Sequence, residues 1–242
     1  MVIDGSPSHN MVEVNSCKIS KRKHKMNIRY KLLNQKMESH NNTKWTLGVW
    51  KEVSGVGVLC DSGWLHCYYN PILGIIFNPI HANIKSPRLF KCEVSGNTLG
   101  DRGLKEGWSR MRVIEELEIP NITLNQKIAF GILCAKEVYK NKVWTKWARN
   151  WLNGLDRSNE SASAAAYAAA YAAAYAAADA DAYADAYAAA YAAAYAAAYA
   201  AAYAAAYAAA AYAAAYAADA ADAADAAELN FETIIEKAMK IV

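Results

Sequence analysis

Between Arg88 and Val94 the side chains sort onto two faces, with Phe90, Cys92 and Val94 on one and Leu89, Lys91 and Glu93 on the other. A period of two predicts a strand, and the charged second face predicts at least one wet edge. Earlier apolar runs are shorter. Trp45 to Trp50, Val56 to Cys60 and Trp64 to Tyr69 are separated by Gly55, Gly57 and Asp61-Ser62-Gly63, so 44–70 is expected to be a set of strands joined by tight turns. Asn70-Pro71 ends the last of them and puts Pro at the first position of a short helix through Ile75, Ile76 and Phe77, which Asn78-Pro79 should break. Gly96, Gly100, Gly103 and Gly107 predict a loop, and Trp108 to Ile119 a second alternating strand.

Beyond Pro120 the period changes. Thr123 followed by Gln126 is a capping box, and Leu124, Ile128, Ile132, Ala135 and Val138 continue at helical spacing. Val143, Trp144, Trp147, Trp151 and Leu152 form the stripe of a second helix that Gly154 should end. From Ser161 to Ala227 the chain is an alanine polymer interrupted at nearly every fourth place. Tyr167, Tyr171 and Tyr175 set the period, Asp179 replaces one tyrosine, and Tyr183, Tyr187, Tyr191, Tyr195, Tyr199, Tyr203 and Tyr207 resume it. An additional alanine shifts the phase of Tyr212 and Tyr216.

Alanine has the highest helix propensity, so a continuous helical rod is expected. A step of four residues overshoots a helical turn by about 40°, so the tyrosines should spiral around such a rod, and self-association is the use that suits them. A stacked strand repeat is disfavoured because alanine is depleted in strands and no turn residues punctuate the repeat. Past it, Phe231, Ile234, Ile235, Ala238 and Val242 make an amphipathic stripe that predicts a docking helix.

Charge sharpens this division. The net charge of the 242 residues is +3, but Lys and Arg are absent from 159–235, so 1–157 carry about +11 and the remainder is acidic. A basic head and an acidic tail attract each other, within one chain or between copies. Lys21 to Lys25 sits in a polar N-terminal stretch without the apolar core of a secretory signal; it reads as a disordered tail, and Met26 would serve as an alternative start. The odd set Cys17, Cys60, Cys67, Cys92 and Cys134 then reads as reduced thiols in a cytosol. Ala186 to Ala218 is long enough to span a bilayer but contains no Leu, Ile, Val or Phe, so a membrane is not an expected partner.

Chemistry is sparse. Asp61, His66, Cys67 and His81 are the densest group, with Cys60 and Cys92 in reach if strands pair, but no metal-ligand spacing is present and neither a metal nor a cofactor is expected. His66 and Cys67 are neighbours on a strand, point to opposite faces, and cannot work as base and nucleophile. Arg110 and Arg112 share a strand face and suit an anion. Together His66, His81, Arg110 and Arg112 are the candidate ligand-binding residues. Trp144, Trp147 and Trp151 among Lys142, Lys146 and Arg149 resemble a nucleic-acid surface, but at helical spacing they read as core, so nucleic acid is not an expected partner.

Six segments carry a likeness: Lys44 to Trp50, Gly63 to His66, Asn78 to Asn83, Pro87 to Phe90, Glu93 to Gly96 and Ala129 to Cys134. Across roughly Tyr30 to Ser163 the chain resembles an uncharacterised family of tailed-phage and prophage proteins that join a small head to an alanine-rich repeat. The resemblance implies no activity and no catalytic residue. The expected fold is α+β: a disordered tail over 1–27, a head of antiparallel strands and two helices over 28–157, a helical rod over 158–228 and an amphipathic helix over 229–242. The expected function is that of a non-enzymatic accessory protein in the bacterial host's cytoplasm, binding a second copy or a host or phage protein through the repeat tyrosines and Phe231, Ile234, Ile235 and Val242. The alternatives are a ligand-binding or enzymatic head with the helix as spacer, or nucleic-acid binding by the basic head.

Overall fold

The computed structural model describes residues 27–176, 191–197, 209–223 and 229–242. Its centre is a long hairpin of β6 (Arg88–Asp101) and β7 (Lys105–Leu117). The three-residue turn between them, 102–104, places Arg102 and Gly103 at φ 43° and 77°, and the Leu104 N–H closes it by donating to the Asp101 carbonyl at 2.6 Å. Strand β1 (Asn27–Leu33) lies antiparallel on the free edge of β6. The free edge of β7 takes β5 (Leu65–Cys67) near the turn and the two-residue β4 (Lys51–Glu52) farther along. A two-residue pair, β2 (Glu38–Ser39) with β3 (Thr43–Lys44), stands apart.

Tyr30 and Tyr68 exchange two backbone hydrogen bonds of 2.8 Å, tying the end of β5 back to β1. The strands β1–β6–β7–β5 therefore close into a small ring. Its interior is filled by Leu33, Phe90, Cys92, Met111, Val113 and Cys67, all nearly inaccessible to solvent, under a lid formed by Trp45. Closure removes the edges that would otherwise leave ladder groups unpaired.

Three local expectations change. Over 88–94 β6 is paired along both edges, with β1 on one side and β7 on the other, because closure of the ring uses both. Gly96, Gly100 and Gly107 lie inside strands, not in a loop; Gly96 sits at φ 85° in a register shift where a side chain would collide with Ser109. Residues 45–50 and 53–64, Val56 to Cys60 included, form connections, with Leu47, Val49, Val56 and Val58 more than half exposed, since between 45 and 64 only Lys51 and Glu52 join the β7 ladder.

Helices pack outside the ring. The first, α1 (Pro71–His81), is capped by the Asn70 side chain, which accepts from the Ile72 N–H at 2.9 Å. It runs through Pro79 instead of breaking there. The proline lies in the last turn, where it costs one hydrogen bond, and the Asn78 side chain secures the exit by bonding both backbone groups of Ile84. Helix α2 (Leu124–Val138) begins with both bonds of the Thr123–Gln126 capping box. Helix α3 (Lys142–Leu152) buries Trp144, Trp147 and Trp151.

The described parts of the repeat are separate short helices: α4 (Asn159–Ala176), α5 (191–197) and α6 (Ala209–Ala223). No single rod runs through them. Tyr195 stacks on Tyr212 and Tyr216 with ring centroids 5.5 Å apart, whereas one straight helix would hold Tyr195 and Tyr216 roughly 30 Å apart. The chain reverses between α5 and α6, and both helices join the core of the head. Trp144 donates its indole N–H to the Ala193 carbonyl at 3.2 Å, α4 packs on α3, and α6 packs on α2 and α1.

The drift that rules out a stripe on a long rod explains this arrangement. From one repeat to the next it amounts to about 40°, so a short helix keeps its alanines on one side. Ala192, Ala193, Ala196 and Ala197 are buried on α5, and Ala213, Ala214, Ala217 and Ala218 on α6. Helix α7 (Phe231–Ala238) closes the packing, with Phe231 stacked on Phe130 at 6.2 Å and its ring lying over Gly103 of the hairpin turn. Burying Phe231, Ile234 and Ile235 is worth about 2 kcal/mol each. Val242 does not join them: it follows the end of the helix and is 98% exposed. The fold is α+β, and no helix among the described residues is long and apolar enough to cross a membrane.

Candidate functional site

A cavity of about 400 Å³ opens where β1, β5 and the end of α1 meet the 39–45 segment and the 60–64 loop. It brings His66 and His81 together and leaves Arg110 and Arg112 out. The arginines project from β7 on the face opposite Met111 and Val113, lie against the Trp50 ring at 4.3 and 4.8 Å, and pair with Glu52 and Glu93 at 2.8 and 2.5 Å. Both cations are already matched, on a surface distinct from the cavity.

Lys31 defines the cavity's chemistry. The pleat of β1 turns Arg29, Lys31 and Leu33 toward the interior of the ring. Arg29 is satisfied there by Glu106 at 2.5 Å, and Glu106 also accepts the Trp108 indole N–H at 2.8 Å. Lys31 is 7% exposed, donates to the His66 carbonyl at 2.5 Å, and lies 4.9 Å from the Trp45 ring centroid. Among the described residues no carboxylate pairs with it. Its titratable neighbours include the Cys67 and Cys92 thiols, which burial keeps protonated, pushing Cys92 up to about 12. Burial accordingly lowers the Lys31 pKa from its ordinary 10.5.

The two histidines are fixed by different partners. His66, on the side of β5 opposite Cys67, donates its Nε2 proton to the Leu59 carbonyl, and burial lowers its pKa. His81, in the last turn of α1, has its Nδ1 2.9 Å from the Tyr68 hydroxyl and its ring stacked on Phe77. Burial pulls His81 down to about 4 and pushes the Tyr68 phenol upward, so near pH 7 a neutral phenol donates to a neutral imidazole. Around them, Trp45 and Trp64 supply apolar wall, Lys105 donates to the Cys60 thiol at 3.4 Å, and Asp61 lies alongside. The site combines a buried amine, a phenol–imidazole pair and aromatic walls, the usual make-up of a small-molecule pocket.

Of the tyrosines expected to mediate interaction, Tyr191, Tyr195 and Tyr216 stack among themselves, Tyr212 is 42% exposed and Tyr167 is 75% exposed. Tyr171 and Tyr175 belong to α4, but their side chains are outside the description. Tyr183, Tyr187, Tyr199, Tyr203 and Tyr207 lie outside the described residues. Phe231, Ile234 and Ile235 dock on the head of their own chain. Lys31 was not singled out by the sequence. The available signal was a lysine two residues before Leu33, on the face that a strand would turn inward. No protein-family model, curated protein or solved structure matches the chain.

Proposed function

We propose that the head binds a small, flat molecule carrying a carboxylate or a comparable oxygen acceptor in the cavity at Lys31. One observation carries this reading. The Lys31 amine is inside the ring with one backbone carbonyl as hydrogen-bond partner and no carboxylate among the described residues. A lysine buried this way has unused donor capacity, and an oxygen acceptor between Trp45 and Trp64 would use it. His66 and the Tyr68–His81 pair then orient the ligand's polar end. The Ala/Tyr helices act as scaffold, holding α1 and α2 against the ring. The setting of a phage or prophage accessory protein rests on the sequence motifs of the head. Tryptophan fluorescence of the full chain, titrated with a series of small aromatic carboxylates beginning with benzoate, tests the reading. A saturable change that disappears in Lys31→Met supports it; a response unaltered by that substitution, or no response across the series, overturns it.

A second reading, assembly through the repeat, has the exposed rings of Tyr167 and Tyr212 in its favour. Light scattering coupled to size exclusion tests it, and a monomer at micromolar concentration contradicts it.

A further inference from the structure

We propose that Lys31 is a covalent anchor, forming a Schiff base with a small aromatic or conjugated aldehyde held in the cavity. This rests on the ligand-binding reading above and adds the reacting group.

Four observations converge on the cavity. The amine lines it, and so do the Tyr68–His81 pair, His66 and the two tryptophans. In the neutral form the amine has two N–H groups and a lone pair. One N–H goes to the His66 carbonyl, and no described side chain takes the lone pair. Among the described residues nothing acidic is bonded to it to hold a proton on it, and the nearby Cys67 and Cys92 are neutral thiols. Desolvated lysines of this kind make imines because the unprotonated amine is the nucleophile.

The step balances without any oxidant or reductant. The Nζ lone pair attacks the carbonyl carbon, the π pair moves to oxygen, and a proton passes from nitrogen to that oxygen to give the carbinolamine. The hydroxyl then leaves as water with a second proton, while the nitrogen pair closes the C=N bond. Both hydrogens of the amine end in the water released. Tyr68 can relay the proton, giving its own to the departing hydroxyl and taking the nitrogen's in exchange, while Nδ1 of His81, 2.9 Å away, holds the phenol in place. Trp45 and Trp64 keep bulk water from the imine. The Cys60 thiol, although also on the cavity, is 3.4 Å from the Lys105 ammonium near the rim and plays no part.

The test uses the full chain with 4-carboxybenzaldehyde and cyanoborohydride at neutral pH, followed by intact mass and peptide mapping, with benzoate titrated in parallel. One adduct per chain is expected, mapped to Lys31, formed at a rate that saturates with aldehyde and is slowed by benzoate. The adduct is lost in Lys31→Arg, which keeps a donor for a carboxylate but cannot form the imine, so benzoate binding persists there. Adducts spread over exposed lysines such as Lys85 and Lys140, with Lys31 unmodified, overturn the proposal. If benzoate still saturates in that case, ligand binding stands and only the covalent step falls. If benzoate fails as well, both fall.

Discussion

Tyr195 and Tyr216 lie face to face, with ring centroids 5.5 Å apart and planes within 9°, although they belong to different turns of the repeat on opposite sides of 198–208. Among the described residues, that contact folds two helices of the repeat against each other, with Tyr191, Tyr195, Tyr212 and Tyr216 in ring contact and the alanines facing the head. A double-mutant cycle of Tyr195→Ala and Tyr216→Ala is expected to give a coupling of about 1 kcal/mol, the size of an aromatic pair beyond its buried area. A coupling of zero in thermal or denaturant unfolding would place the two rings apart.

Among the described residues, one ion pair joins the acidic tail to the basic head. Arg102, in the β6–β7 turn, bonds to Asp101 and to Asp219 of α6. Both side chains of the Arg102–Asp219 pair are partly exposed, at 34% and 46%, so Asp219→Asn should cost less than about 1 kcal/mol and the loss should fade at high salt. Phe231 bears much more of the docking. It is buried, and Phe231→Ala is expected to cost about 3–5 kcal/mol by chemical denaturation.

His81 makes stability depend on pH in a stated direction. Its pKa falls from 6.5 in the unfolded chain to about 4 in the fold because burial disfavours the charged ring, opposed by Asp101 and assisted by Lys105 and His66. Between those values the unfolded chain binds the extra proton, so stability decreases as pH drops from about 6.5 toward 4, by roughly 2–4 kcal/mol. His81→Asn keeps an acceptor near the position of Nδ1 and removes the titration. Its unfolding free energy should be flatter across that window than that of the parent chain.

Lys31 acts with the same sign at higher pH. Its lowered pKa means that the unfolded chain is the better proton binder below 10.5, so folding gains stability as pH rises toward that value. Lys31→Met removes a buried amine and fills its volume with a flexible apolar chain. The expected result is a stability at neutral pH equal to the parent's or higher by about 1 kcal/mol, with the alkaline rise abolished.

The sequence made some of this legible because the signal was local. The Thr123–Gln126 box, the Trp144–Trp147–Trp151 stripe and the Phe231–Ile235 face are set by spacing within one helix, and each is found where the spacing puts it. Non-local features were out of reach. Closure of the ring depends on Tyr30 meeting Tyr68 across the whole of β1 and β5, and no pattern within either strand encodes it. The same holds for the site: His66 and His81 were visible as types, but only closure puts Lys31 beside them, and only the pleat of β7 sends Arg110 and Arg112 to the other surface. The repeat misled for a physical reason. Propensity favours one long helix, but tertiary burial of alanine faces outweighs it where each helix is short enough that the drift does not accumulate.

The central claim is that Lys31 is a buried, largely solvent-shielded amine facing a ligand cavity. NMR titration of lysine side chains, with the Lys31 signal assigned by its loss in Lys31→Arg, measures this directly. Lys31 should titrate below its ordinary 10.5, and its signal should shift when benzoate is added. Titration of Lys31 at 10.5 or above, with no response to benzoate, would contradict the claim.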